Sequence, residues 1–200
     1  MATAFRRVGG RLVAGFDAEE VEVVLHVLRL TRDFVAPERP GSGDPFLDLV
    51  AGLGEDVDPE EPSDPALARL LPPASRDDDE QAREFRRLTE HGLRTRKAAT
   101  IATAVAALEE AEPPEVSLDD AGAHALAVAL TDVRLILGER LGLRTDEDSE
   151  RLHDQLEAAL AGEAELDPAT AQQMAYYDFL SWVQESITTV MLEGDGPAVV

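Results

Sequence analysis

The stretch from Asp167 to Glu193 constrains the fold most. It holds four of the nine aromatic residues: Tyr176, Tyr177, Phe179 and Trp182. At about 100° per residue, Tyr176, Phe179, Leu180, Val183, Ile187, Val190 and Met191 share one face, with Asp178, Ser181, Glu185 and Thr188 opposite. Asp167 is a natural N-cap, Pro168 suits the first helical position, and Gly194 is placed to end the helix. The pattern predicts an amphipathic helix of about seven turns at 3.6 residues per turn. Such a helix must cover its apolar face with other elements. Trp182 falls on the flank of the stripe, so either a second element covers it or it is a contact residue.

Two hundred residues, 44% of them hydrophobic, suit a single domain with a real core. The net charge is −23, with 41 acids against 18 bases. That field repels nucleic acid and anionic membrane, so a direct nucleic-acid partner is not expected and a basic protein is the better match. Seventeen of the bases are Arg and one is Lys. Cysteine is absent, which excludes disulfides, thiol catalysis and zinc–thiolate sites. The N-terminus lacks a signal-peptide pattern, and charge-free runs such as Ala98–Leu108, about 11 residues, are too short for a bilayer span. A cytoplasmic location is the expectation.

Along the chain, residues 4–16 read as a hairpin turning at Gly9-Gly10, which must pack on helices or pair with another edge, such as Ala198–Val200. Asp17 with Glu20 forms a capping box opening a helix to about Val35. Residues 36–44 and 54–64 read as flexible loops around a short helix, Pro45–Leu53. Pro65–Leu71 predicts another short helix. Asp78 to about Ala111 predicts a long one, bent at His91-Gly92, with the acids 77–80 at its N-terminus rather than in a calcium loop. Ser117 with Asp120 opens a helix from Leu118 to Leu141. That helix is apolar on two faces and so predicted to be central: Leu126, Leu130, Val133, Leu137 and Leu141 on one, Val128, Leu135 and Ile136 on the other. Glu147–Ala161 predicts an acidic helix, and residues 194–200 a loose tail. The fold class is therefore mainly α, a bundle of about five to seven helices with a small N-terminal β-hairpin.

Candidate chemistry is sparse. Glu150 and His153 show the Glu-x-x-His spacing of di-iron bundles, but a second copy and two inward carboxylates are missing, so no metal is expected. Nucleophile elbows, phosphate loops and dinucleotide fingerprints are absent, and neither a cofactor nor enzymatic activity is expected. Asp132 and Glu139 lie seven residues apart on the central helix, on the side of Val128 and Leu135. If that side is covered they need partners, and Arg96 or Arg134 is the expected one. Residues 83–97 carry six bases and two acids, with Arg83, Arg86, Arg87, Arg94 and Lys97 on one side and Phe85 and Leu88 pointing the other way. This strip is either a docking face or a solvated face that neutralises acidic loops of the same molecule. Charge runs are usually solvated, which favours the second reading.

Three blocks, Asp64–Lys97, Ala129–Leu143 and Tyr177–Ile187, together with the N-terminal FRRVGGRLVAGFDAEE, resemble the actinobacterial AosR-like family of oxidative-stress-responsive regulators. The resemblance implies a cytoplasmic stress-response regulator of transcription acting by contact with a sigma factor or RNA polymerase. It also implies a gene neighbourhood with a ClpS protease adaptor, so the alternative is a helical adaptor or scaffold in Clp-dependent proteolysis. The cysteine-pair redox sensing implied for the family cannot operate in a chain without cysteine. A homodimer through the hairpin edge or the Trp182 flank is a further expectation about partners.

Overall fold

A turn whose two central residues both take positive φ starts the fold: Gly9 at 57° and Gly10 at 82°. Only glycine adopts such angles without strain, and they match the twist of a two-residue hairpin. The computed structural model describes residues 2–37, 61–75, 77–162 and 165–193. Among these, strands β1 (Thr3–Val8) and β2 (Arg11–Gly15) pair antiparallel with Val8 opposite Arg11. Helices α1 (Ala18–Val35), α2 (Pro65–Leu70), α3 (Asp79–Glu109), α4 (Asp120–Arg140), α5 (Asp146–Leu160) and α6 (Pro168–Glu193) follow. A third strand, β3 (Glu115–Leu118), lies between α3 and α4. The chain is mainly helical, with the hairpin at its N-terminus, as its periodicities predict.

The third strand corrects the sequence reading. Ser117 does not open the central helix: Asp119 caps it, accepting from the Gly122 amide at 2.7 Å. Ser117 instead accepts from Arg11 Nε at 2.8 Å across the β2–β3 pair, where Val13 faces Ser117. Val116 and Leu118 are buried while Glu115 is exposed, an alternation too short to stand out beside a capping-box spacing. The hairpin thus gains its third strand from residues 115–118. Residues 198–200, the Pro45–Leu53 helix, Gly194, the tail 194–200 and most of the two loops lie outside the described residues.

Local signals set the helix starts. Asp17 and Glu20 bond each other's backbone amides at 2.9 Å, a complete capping box. Asp64, Asp78 and Thr145 cap α2, α3 and α5, and the Thr170 amide donates to Asp167. α3 runs unbroken through His91 and Gly92.

The core gathers on α4, which packs on α1, α2, α3 and α6. Leu126, Leu130 and Val133 are buried, and so are Ala123, Ala127 and Ala129, whose small side chains let neighbours close in from several sides. Gly122 marks the tightest approach: a Cβ there would stand 3.0 Å from the Ala107 Cβ of α3. The second apolar face is only partly covered, since Val128 and Leu135 are each 39% exposed. By length and composition α4 is long and apolar enough to cross a bilayer, contrary to the expectation from charge-free runs, and more than half of that window is buried inside the protein.

α6 buries Leu180, Val183, Ile187 and Val190, as its stripe predicts. The sheet docks on it through rings. Phe16 meets Phe5 edge-on at 5.6 Å and Phe179 at 6.1 Å, and Phe179 stacks on Trp182 at 6.2 Å. α5 makes no extensive contact with the other described elements; its Leu152 and Leu156 are half-buried.

Candidate interaction sites

α3 turns one face inward along its whole length, and that face changes chemistry midway. Ile101, Ala104, Val105 and Leu108 are buried apolar residues against the core. Continued toward the N-terminus, the same helical phase carries Lys97, Arg94, Glu90 and Arg86. Arg86 is 9% exposed and the Arg94 side chain 11%. Both converge on Glu90, Arg94 Nε at 2.8 Å and Arg86 Nε at 3.4 Å. The pairing matches burial, since a charge removed from water needs an opposite partner. A small crevice lined by Leu71, Pro72, Arg86 and Glu90 flanks this group.

The basic strip is therefore no open docking face. Arg86, Arg94 and Lys97 turn inward, Arg87 pairs with Glu84 at 2.7 Å, and Arg83 donates to the Asp79 carbonyl at 3.2 Å. Phe85 and Leu88 do point the other way, and the other way is solvent: they are 49% and 55% exposed. Carrying the phase of Ile101 and Leu108 back along a straight helix would have given this orientation. The local preference for apolar residues inside gave the opposite one.

The central-helix acids are covered and paired, with different partners from those expected. Lys97 Nζ donates to Asp132 at 2.6 Å, and the Asp132 side chain is 6% exposed. Glu139, equally buried, accepts from Arg69 Nε at 3.0 Å and from the Arg144 guanidinium. The bonds from Arg144 and then Arg69 hold the Glu139 carboxyl below its ordinary value, while Glu139 raises Arg144. Beside it, Arg140 reaches Asp64 at 2.6 Å and lowers that carboxyl too. Together these bonds tie α2 to the end of α4.

Arg96 is exposed on α3 and pairs with neither acid. Arg134 donates to Gln184 Oε1 at 2.6 Å and lies 5.4 Å above the Tyr177 ring. Gln184 in turn donates to the Ala127 carbonyl at 2.9 Å and to Thr131 Oγ1 at 2.6 Å, bridging α6 to α4. Sequence reasoning passed over Gln184. The available signal was an amide two residues from Trp182, on a helix otherwise facing the core.

Trp182 is 36% exposed; its ring stacks on Phe179, and the residue lines a groove of about 530 Å³. β1 forms one wall with Phe5, Arg6 and Arg7, and α6 the other with Glu185, Thr189 and Glu193. Arg7 is tied to Asp120 at 2.9 Å and to the Gly10 carbonyl. Both signs of charge thus rim an aromatic and aliphatic floor.

Among the described residues, no three His, Asp or Glu side chains converge as a metal site, and His153 lies 3.3 Å from Glu157 on the exposed side of α5. Comparison with curated proteins gives no match, and comparison with solved structures gives none either. A family model does match, over residues 2–191, and the chain accordingly belongs to DUF2017, a domain of unknown function.

Proposed function

We propose that this protein works by contact with another protein, as a cytoplasmic regulator of stress-responsive transcription that binds a sigma factor or RNA polymerase. The observation that carries the reading is the groove at Trp182. A part-exposed aromatic anchor on an apolar floor, rimmed by Arg6 and Glu185, has the make-up of protein-interface hot spots. The charge of −23 favours a basic partner and speeds its approach. The AosR-like resemblance supplies the partner class. With no cysteine in the chain, the response follows the partner's state or a signal other than thiol oxidation here.

Trp182 is the single tryptophan, so 5-fluorotryptophan labelling gives one 19F resonance at the groove. Addition of purified sigma factor or polymerase core should shift or broaden that resonance, less so at high salt. Glu185→Lys combined with Thr189→Arg, both at exposed positions, should weaken capture at least about tenfold with the fold intact. An unmoved resonance together with undiminished capture of the variant would refute the assignment.

A further inference from the structure

The groove at Trp182 has two walls of different kinds. One is lined by four consecutive residues of β1, from Ala4 to Arg7. Side chains alternate across a strand, so a groove over one face would meet every second residue. Meeting all four makes the wall the edge of the strand, its row of peptide groups. The sheet order is β1-β2-β3, and among the described residues no further strand pairs with the outer side of β1. The register shifts between Thr3 and Arg6, which sets Ala4 and Phe5 against Ala14 alone, and a residue in excess leaves peptide groups outside the ladder. The other wall is the end of α6, with Glu185, Thr189 and Glu193 exposed one turn apart. We propose that, within the reading of this groove as the partner site, it takes an extended basic segment of the partner protein, which adds to β1 as a fourth strand and sets its basic side chains against Glu185 and Glu193.

The edge selects the form of the occupant. Its donors and acceptors repeat at the spacing of a strand, and an extended backbone matches that repeat. Charge selects the composition. Arg7 is held by Asp120, which leaves Arg6 facing Glu185 and Glu193 on a body at −23. The two acids stand roughly 12 Å apart, eight residues at a 1.5 Å rise, close to the roughly 13 Å that four residues of a strand cover. Four is an even number, so basic side chains at positions i and i+4 of the segment lie on one face, with the residue at i+2 over Thr189. A second copy of this chain is the poorer occupant, because it brings another body at −23 against the same acids.

The probe is a capped peptide, Lys-Thr-Val-Thr-Lys flanked by serines, added to the full chain labelled with 5-fluorotryptophan. It should shift the single 19F resonance and slow amide exchange across residues 4–7 at least about tenfold. The same peptide with its amides N-methylated keeps the side chains but loses the donors of a strand, and it should do neither. Glu185→Lys with Glu193→Lys should weaken binding of the Lys peptide at least about tenfold, and a peptide with Glu in place of both Lys should bind this variant better than it binds the wild type. Equal binding of the N-methylated peptide would overturn the fourth strand, and so would a capped peptide that leaves the resonance unmoved at millimolar concentration. A resonance of the free protein that moves with protein concentration would give the groove to a second copy. One that moves on Val199→Asp with Val200→Asp would give it to residues 194–200, and either result overturns the assignment to a partner. A shift with the peptide beside none with sigma factor or polymerase would keep the strand and overturn only that choice of partner. The reverse pattern would keep the partner and overturn the strand.

Discussion

The two halves of α3 share one inward face and solve its burial in different ways. From Ile101 to Leu108 the face is apolar and gains stability by leaving water. From Arg86 to Lys97 it is charged, and each charge removed from water is met by an opposite one: Arg86 and Arg94 on Glu90, Lys97 on Asp132. The first solution tolerates approximate partners, because dispersion and the hydrophobic effect are non-directional. The second depends on specific atoms, because an unpaired buried charge is far costlier than a missing methyl group.

The largest expected effect belongs to the apolar half. Ile101→Ala removes a fully buried side chain and should cost about 2–5 kcal/mol in chemical denaturation. A variant with an unchanged midpoint would show that this half is less tightly packed than its burial implies.

Next comes the charged half. Lys97→Met strands the Asp132 carboxylate, at a cost of about 1–3 kcal/mol. Adding Asp132→Leu should recover most of that loss, because two apolar side chains restore the kind of contact made further along the helix. A double variant no better than the sum of the single ones would mean that the pair contributes more than mutual neutralisation.

A smaller effect separates the groups by pH. The folded Glu139 carboxyl lies below its ordinary value near 4.5, so its bonds to Arg144 and Arg69 contribute fully above that value. The contribution disappears as pH falls through the lowered value and the folded protein takes up the proton. Asp64, lowered by Arg140, acts in the same direction. The unfolding midpoint of the wild type should therefore fall more steeply between about pH 5 and pH 3 than that of Glu139→Gln. Parallel curves would remove Glu139 from the acid response. The smallest effect is Arg87→Ala, which removes an exposed pair with Glu84 and should lower the thermal midpoint by no more than about 1–2 °C.

Much of this molecule was written locally. The Gly9-Gly10 turn, the Asp17–Glu20 box, the Asp64 and Asp78 caps and the α6 stripe each depend on neighbours a few residues away, so residue type and spacing determined them. The mainly helical class followed, and so did the need of Asp132 and Glu139 for cationic partners once covered. Other features depended on contacts between distant parts of the chain. β3 is a strand because β2 offers an edge to Val116 and Leu118, whereas alone its residues read as a helix start. Arg86 faces inward because Ile101 and Leu108, four to six turns away on the same rigid helix, fix the phase for all of α3. Lys97, Arg69 and Arg144, rather than Arg96 and Arg134, reach the acids because reach depends on how helices cross. The groove at Trp182 exists only where β1 and α6 are brought side by side. Spacing along a chain encodes forces that act within a turn or two; which surfaces meet is settled by the packing of the whole body.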